Sequence, residues 1–335
     1  MNSQKRPRLF RGYLFLILDA IALGVALCVF SLFHHVLPMK GGGPIQSVPG
    51  AKDIITQTVQ STPEAQLSPT DLIQSTPEPA LPATGDFSQT FPSNDTGTNA
   101  VHSYQSDSVR IAVNQVQRDS ITYYVADVWI RNISSFKTAF AKDEYGRGIH
   151  EQPVSMAHNN NALIAVNGDY YGARDLGVVI RNGDVYRNSI STDVCVVYAD
   201  GVMETIAKDD FSIDAAIARG AYQAWSFGPK LLLNGQPIAT FNSSVEGANP
   251  RTAIGYYQPG HYCLVTVDGR QPGYSAGMTM QKLSMLFYEL GCADAYNLDG
   301  GQSSMMVFQD ELVNKPFKGG RQSSDIIYFT DPAAK

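Results

Sequence analysis

The chain has 335 residues, 44% of them hydrophobic, so it is long enough to bury a sizeable core as one or two domains. Its formal net charge of −6 gives no electrostatic reason to expect nucleic acid as a partner.

The N-terminus combines a basic head, residues 1–11, with a mostly apolar run, residues 12–37. The head carries Lys5, Arg6, Arg8 and Arg11. Because about 20 apolar residues cross a bilayer, the run predicts one transmembrane helix, although Asp19 is costly at that depth. A cleaved signal peptide is the alternative, but its apolar region typically has only about 7–15 residues. We therefore expect a single-pass signal anchor in the cell membrane, with a cytoplasmic head and an extracellular C-terminal domain.

Residues 38–104 are rich in Pro, Ser, Thr, Gln and Gly, with little apolar periodicity. This composition predicts a flexible, disordered stalk, because it cannot bury enough apolar surface to fold. The folded domain is predicted to span residues 105–332.

Within that domain, short apolar runs separated by turn residues predict many short strands. Residues 109–116 and 121–130 indicate two strands joined by a turn, and Asn182-Gly183 and Asn234-Gly235 are typical of hairpin turns. Residues 151–161 and 214–218 are candidates for short helices. The predicted class is α+β, a mixed sheet of many short strands with few helices.

The clearest helix is predicted over residues 280–290, where Leu283, Phe287 and Leu290 follow helical spacing. Thr279 is a candidate N-cap and Gly291 can close the C-terminus. The helix separates two predicted strands, a pattern that favours parallel pairing of those strands.

The stretch from Ala295 to Phe308 is the most informative part of the chain. Asn297 and Asp299 alternate along a predicted strand, so their side chains share a face. Gly300 and Gly301 then break the strand, and Ser303 follows. One interpretation is a plain hairpin, because Asp-Gly is an ordinary turn signal. The other is a functional site.

Three further predicted strands carry polar groups at one end. This favours the functional interpretation, since rigid scaffolds present site residues at strand ends. One strand ends in Asn167-Gly168-Asp169-Tyr170, another in Asp268-Gly269-Arg270, and Asn249-Pro250-Arg251 precedes a third.

Together, the motifs NGDYY, FGPKL, NPRTAIGY, VDGR and NLDGGQSS resemble those of the phosphodiester glycosidase family. The resemblance runs from about Ser108 to Thr330, with two departures: Asp169 and Gln302 stand where the family often has glycine. It implies a hydrolase that cleaves sugar-1-phosphodiesters of the N-acetylglucosamine-1-phosphate type. We expect such linkages in cell-surface glycans, exopolysaccharide or cell wall, so the expected partners are a glycan or sugar-phosphate substrate and the membrane.

Candidate roles follow from the chemistry of that reaction. Glycosidic cleavage normally uses two carboxylates, for which Asp268 and Asp299 are the candidates. An arginine fork matches phosphate oxygens, so Arg251 and Arg270 are predicted to hold the phosphate, with structural salt bridges to the two aspartates as the alternative. The predicted substrate-binding residues are Asn167, Asp169, Tyr170, Asn297, Gly300, Gly301 and Ser303.

Two other functions fit the same residues. A noncatalytic module could bind cell-wall glycan on the same fold. A metal-dependent phosphodiesterase could use Asp169, Asp268 and Asp299 as ligands, although the motifs contain no histidine. We therefore predict no metal and no cofactor. Cys195, Cys263 and Cys292 are predicted to be buried thiols, with one disulfide among them as the alternative.

Overall fold

A computed structural model describes residues 9–32, 37–50, 85–92, 100–242 and 245–334. Residues 1–8 of the predicted head, 33–36 of the predicted anchor, and 51–84 and 93–99 of the predicted stalk lie outside the described residues.

Four α-helices and many short strands occur in the described ranges. The helices are α1 (Leu9–Ser31), α2 (Pro153–Asn159), α3 (Ile213–Ala218) and α4 (Met280–Glu289). The first ten strands of the described ranges are β1 (Met39–Lys40), β2 (Gln46–Ser47), β3 (His102–Gln105), β4 (Val109–Arg118), β5 (Ile121–Ile130), β6 (Phe136–Phe140), β7 (Gly146–Arg147), β8 (Ile164–Asn167), β9 (Gly177–Arg181) and β10 (Asp184–Ser189). The remainder are β11 (Val194–Tyr198), β12 (Met203–Ile206), β13 (Ala221–Trp225), β14 (Leu232–Leu233), β15 (Gln236–Pro237), β16 (Arg251–Gln258), β17 (His261–Val267), β18 (Asp294–Asn297), β19 (Met306–Phe308), β20 (Glu311–Leu312) and β21 (Asp325–Phe329).

In the described part of the chain these strands form three main sheets. Their orders are β12-β11-β13-β9-β10-β2, β18-β16-β17-β5-β4-β3 and β20-β19-β8-β21-β6. The three sheets meet in one apolar core, where the ring of Phe136 packs against Trp225, Tyr262 and Phe329 at centroid distances of 6.2, 5.1 and 4.6 Å. The predicted α+β class with few helices is confirmed.

Local sequence signals predict several elements well. β4 and β5 cover the two strands predicted there, and α4 begins after Thr279, whose hydroxyl accepts the amide of Lys282 at 3.2 Å. The Asn182-Gly183 turn joins β9 to β10, with φ of 51° and 83° at its two residues. Asparagine and glycine tolerate this left-handed backbone, so a two-residue hairpin forms there.

The predicted parallel pairing around α4 is wrong. β16 lies between β17 and β18 and pairs antiparallel with both. All strand ladders among the described residues are antiparallel, so the sheet is not mixed there. The reason is that the strand carrying the NPRTAIGY motif inserts between the two strands that the helix connects.

The hairpin interpretation of the Asp299-Gly300 turn is also wrong. β18 pairs with β16 in one sheet, whereas β19 pairs with β8 in another. The segment from Asp299 to Ser303 therefore carries the chain from one sheet to the next, and we call it the crossing segment.

The predicted anchor, residues 12–37, overlaps α1. Among the residues that the structure describes, none of the helices combines the length and apolar character needed to cross a membrane.

Three parts of the predicted stalk contact the folded domain, and the last of them, residues 102–104, belongs to β3, which pairs with β4. β1 pairs with β7, and β2 pairs with β10. Phe87 is 6% exposed, and side chains at Gly201 or Gly260 would collide with its ring. Within these three parts the backbone is paired or packed and is not a free stalk, because strand pairing and the burial of Phe87 depend on contacts that composition alone does not reveal.

Cys195, Cys263 and Cys292 are buried free thiols, as predicted. The sulfur atoms of Cys263 and Cys292 lie 3.6 Å apart, between β17 and the end of α4.

A buried ion pair joins two sheets directly beneath the NGDYY loop. Asp325 accepts hydrogen bonds from Nε and Nη2 of Arg181 at 3.0 and 2.7 Å, and both side chains are at least 98% buried. Breaking a buried pair is costly because the remaining charge stays out of water.

We expect Asp325→Asn to lower the free energy of unfolding by up to roughly 3–5 kcal/mol, because Arg181 would keep only the more distant carboxylate of Asp169, at 3.7 Å, opposite its buried charge. Asp175→Asn is the matched control, since Asp175 pairs with Arg147 at 2.7 Å but is 71% exposed. The control should change stability by less than about 1 kcal/mol. Denaturant unfolding monitored by fluorescence measures both, and equal effects would contradict this reading of the pair.

Candidate active site

A cleft of about 390 Å³ lies against the crossing segment. Its lining residues come from four separate segments, namely His150, Asp169, Tyr170, Ala173, Asp299, Ser303, Arg321, Gln322, Ser323 and Ser324. Four of the predicted site residues, Asp169, Tyr170, Asp299 and Ser303, therefore line one cleft.

Asp299 enters the cleft from the end of β18. Its amide donates to the carbonyl of Gly168 at 3.3 Å, and its own carbonyl accepts Nδ2 of Asn167 at 2.7 Å. The backbone is thus fixed against the NGDYY loop, and the carboxylate is 12% exposed at the cleft. Burial raises the pKa of Asp299 above its usual 3.8, the charge of Asp169 acts in the same direction, and Ser303 and Arg321 oppose the shift.

Arg321 is the main functional candidate that the sequence analysis missed. Its Nη2 donates to Oδ2 of Asp299 at 3.0 Å, its Nε donates to Oγ of Ser303 at 2.5 Å, and its guanidinium lies 5.4 Å from the centre of the Tyr170 ring. The side chain remains 41% exposed. The sequence signal that could have identified Arg321 is the glycine pair Gly319-Gly320 directly before it, because Asp299 also stands next to a glycine pair.

The two predicted asparagines are part of the framework. Asn167 is fully buried, and its Oδ1 accepts the hydroxyl of Thr252 at 2.7 Å and the amide of Met305 at 3.3 Å. Asn297 donates to the carbonyl of Gly228 at 2.7 Å, and its buried Oδ1 has no partner among the described residues. Asn167 therefore connects three strand ends, and direct sugar contact by either residue stays a prediction.

Asp169 braces the floor of the cleft. Its carboxylate accepts the amides of Tyr171 at 2.8 Å and Ser226 at 3.3 Å, and Nη2 of Arg181 lies 3.7 Å away. The residue is only 3% exposed. This departure from the family's usual glycine thus ties the NGDYY loop to the segment that precedes FGPKL.

Asp268 lies in a separate polar network. Its carboxylate accepts Nδ2 of Asn314 at 2.7 Å, the hydroxyl of Tyr274 at 2.8 Å and the amide of Lys315 at 3.0 Å. The residue is fully buried, and burial raises the pKa of its carboxyl. This set of contacts favours a positioning role for the predicted second carboxylate.

Arg251 is committed to backbone carbonyls. Its guanidinium donates to the carbonyls of Met278 at 2.9 Å, Val245 at 2.6 Å and Gly247. The residue is 2% exposed, and burial lowers its pKa to about 10. The salt-bridge alternative is wrong, because Arg251 contacts carbonyl oxygens and no carboxylate among the described residues. These contacts also leave little of the guanidinium for the predicted grip on phosphate.

Arg270 is exposed beside the crossing segment. Its Nε and Nη2 donate to Oδ1 of Asn249 at 3.1 and 2.7 Å. Its Nη1 lies 3.4 Å from where a side chain at Gly301 would begin. Arg270 therefore remains a candidate for phosphate contact, next to the glycine pair.

Glycine is needed at positions 300 and 301 because the backbone of Pro250 approaches them closely. A Cβ at Gly300 would lie 2.7 Å from the carbonyl oxygen of Pro250, and the amide of Gly301 donates to that oxygen at 3.0 Å. Gly301 has φ of 67°, which favours glycine. The NPRTAIGY and NLDGGQSS motifs are thus in direct backbone contact.

Among the described residues, no three His, Cys, Asp or Glu side chains are grouped so that they could hold a metal ion. The donor set proposed for a metal-dependent phosphodiesterase, Asp169, Asp268 and Asp299, is therefore not gathered at one point.

Comparison with models of protein families identifies the family of this chain. Residues 160–330, just over half of the chain, match the family model described as phosphodiester glycosidase. The chain belongs to the phosphodiester glycosidase family. The enzyme class predicted from the motifs is the class of that family.

One relative in sequence and two solved structures are similar to this chain. The chain is 28% identical over 180 residues to the SPbeta prophage-derived uncharacterized protein YomE of Bacillus subtilis (strain 168), covering 51% of this chain and 28% of that relative. The zebrafish N-acetylglucosamine-1-phosphodiester alpha-N-acetylglucosaminidase catalytic domain, auto-inhibited by its pro-peptide, superposes with a TM-score of 0.54 at 18% identity over 90% of this chain and 99% of that one. A hypothetical protein from Synechocystis gives a TM-score of 0.52 at 14% identity over 69% and 64% of the two chains. At these identities the structural matches show a shared fold.

We expect Arg321→Lys to lower kcat/KM for a sugar-1-phosphodiester roughly tenfold to a hundredfold, the equivalent of losing one hydrogen bond to a charged group. Lysine keeps the charge but cannot contact Asp299, Ser303 and a phosphate in one plane. The melting temperature should stay near wild type, because the side chain is partly exposed.

Arg219→Lys is the matched control. Arg219 is 40% exposed, pairs with Glu204 and lies over the ring of Tyr198, as Arg321 pairs with Asp299 and lies over Tyr170. The control should leave kcat/KM unchanged. Equal activity of the two variants on a verified substrate would remove Arg321 from the site.

Proposed function

We propose that this protein hydrolyses the glycosidic bond of sugar-1-phosphodiesters. The observation that carries the proposal is the Asp299–Arg321 pair, a carboxylate and a guanidinium that meet at 3.0 Å on the wall of one cleft. These two groups match the two needs of the reaction, a negative charge for an oxocarbenium-like transition state and a planar cation for phosphate.

In this proposal, Asp299 stabilises or attacks the anomeric carbon as positive charge develops there. A phosphate leaves well as an anion, so protonation of the leaving oxygen matters less than neutralisation of its charge. Arg321 supplies that neutralisation, and Ser303 keeps the guanidinium in place through its hydroxyl. Phosphate bound by Arg321 would share the cation with Asp299, so the carboxylate would be freer to act on the sugar.

Tyr170 gives the cleft an apolar surface. Tyr170 is 39% exposed, and the guanidinium of Arg321 lies over its ring. Aromatic rings offer a flat face to the C–H groups of a sugar, so this residue is the candidate platform for the glycosyl group. We take N-acetylglucosamine as the first sugar to test, because the zebrafish protein of the same fold is named for that linkage.

The direct test is turnover of N-acetylglucosamine-1-phosphodiesters by the full chain, with analysis of the released sugar. Asp299→Asn should reduce the rate about a hundredfold or more, because the transition state requires the negative charge. Its stability at neutral pH should not fall, since burial already disfavours the ionised form. Near wild-type turnover by this variant would contradict the role of Asp299. Binding without turnover by the wild type would favour a glycan-binding module.

The pH dependence of the activity gives a second test of the role of Asp299. Asp299 acts as a carboxylate, so activity should fall as the pH falls through its raised pKa, giving an acid limb above 3.8. Arg321 holds that pKa down. The residual activity of Arg321→Gln should therefore show its acid limb at a higher pH than wild type. An unmoved limb would mean that another group controls it.

We also propose that the enzyme is anchored in the cell membrane with its catalytic domain outside. The support is in the sequence, where a basic head precedes the mostly apolar residues 12–37. Protease added to intact cells should release a fragment containing the cleft residues. Protection of the whole chain until lysis would contradict this location.

A further inference from the structure

We propose that residues 314–321, named here the basic loop, form a second phosphate-binding site, so that the substrate is an anionic glycosyl-phosphate polymer. This inference rests on the proposed function, because it extends the substrate beyond the bond that is cleaved. The basic loop ends at Arg321 and therefore leads directly into the cleft.

The charge of the basic loop differs from that of the chain. The protein has a net charge of −6, whereas this loop carries Lys315, Lys318 and Arg321 without an acidic residue. Lys315 and Lys318 are exposed, and neither lies within 4 Å of a carboxylate oxygen of a described residue. Exposed cations next to a phosphate-binding cleft attract a substrate with further negative charges.

Phe317 orders two of these cations. The ammonium of Lys318 lies 5.4 Å from the centre of its ring, and the guanidinium of Arg270 lies 5.7 Å from the same ring. Both distances fall within the range of cation–π attraction. Phe317 thus holds a lysine and an arginine on one side of the crossing segment, while Arg321 lies in the cleft.

The backbone presents both side chains in an unusual way. Lys318 has φ of 53° and Arg270 has φ of 57°. The left-handed region is unfavourable for such residues, so the fold holds both positions against a local backbone preference.

Buried hydrogen bonds hold the basic loop in place. Asn314 donates to Oδ1 of Asp268 at 2.7 Å and to the carbonyl of Ser304 at 3.0 Å, and the amide of Lys315 donates to Oδ2 of Asp268. Nε2 of Gln302 donates to the carbonyl of Gly320 at 2.8 Å. Asp268 is therefore a positioning residue for the basic loop, and Gln302, the second departure from the family pattern, fastens its far end.

These features identify the ligand by its charge pattern. A neutral glycan gains nothing from a row of ordered cations, whereas a polymer of glycosyl phosphates carries one negative charge in each repeat. When one phosphate binds at Arg321, the next repeat can place its phosphate at Lys318 and Arg270. The favoured substrate class is therefore a polymer linked through sugar-1-phosphodiesters.

The test compares Lys315→Gln/Lys318→Gln with wild type on two substrates, a polymer of N-acetylglucosamine-1-phosphate and the monomeric methyl phosphodiester of the same sugar. We expect KM for the polymer to rise about tenfold at low ionic strength, because two surface charge contacts are lost. Added salt should reduce the difference. Both kinetic constants for the monomer should stay unchanged. Lys282→Gln, an exposed lysine on α4, is the control and should match wild type.

Binding of the polymer to chains that carry Asp299→Asn separates the two proposals. If no substrate is turned over, the proposed function fails, and a weaker polymer affinity of the double lysine variant still supports the basic loop. Equal affinities with and without the two lysines would overturn the inference. Lysine-dependent binding to phosphatidylglycerol vesicles, with no binding of the polymer, would also overturn it and assign the loop to a membrane surface.

Discussion

The crossing segment between β18 and β19 is the constraint on which the rest of the site depends. The chain must leave one antiparallel sheet and enter another within a few residues, so Gly300 packs on the carbonyl of Pro250, where no Cβ fits. This contact fixes Asp299 at the end of β18, and Asn167 holds its carbonyl from β8. The carboxylate is thereby placed in the cleft by two sheets at once.

Burial and charge act against each other at this point. A carboxylate taken out of water resists ionisation, and the neighbouring Asp169 adds to that resistance. Arg321, on the loop that follows β20, opposes this effect because its guanidinium lies 3.0 Å from the carboxylate. In the proposed reaction, an incoming phosphate would take over part of the guanidinium while the carboxylate faces the sugar.

Sequence patterns predicted the elements whose signals are local. The caps of α4, the strands β4 and β5 and the asparagine-glycine hairpin depend on neighbouring residues, and all of them are confirmed. The insertion of β16 between β17 and β18 depends on pairing of distant segments, which no local pattern encodes. The direct parallel pairing of β17 and β18 was predicted wrongly for that reason.

The same distinction applies to the site. The motifs indicated which loops meet, but a motif does not say which atoms of a side chain are already occupied. Arg251 was a candidate for phosphate because of its charge, yet its guanidinium is used by three carbonyls. Arg321 was not predicted because it lies outside the motifs. Only the conformation of the basic loop brings its guanidinium to Asp299, which is 22 residues away in the sequence.

In the proposed reaction, water replaces phosphate at the anomeric carbon, and the position of bond cleavage tests this most directly. Hydrolysis of an N-acetylglucosamine-1-phosphodiester in ¹⁸O-labelled water, followed by mass spectrometry of both products, reports which bond is broken. Cleavage of the carbon–oxygen bond, as expected for a glycosidase, places the label in the anomeric hydroxyl of the sugar and leaves the phosphate unlabelled. Label in the phosphate with an unlabelled sugar would mean attack at phosphorus, and it would contradict the glycosidase mechanism.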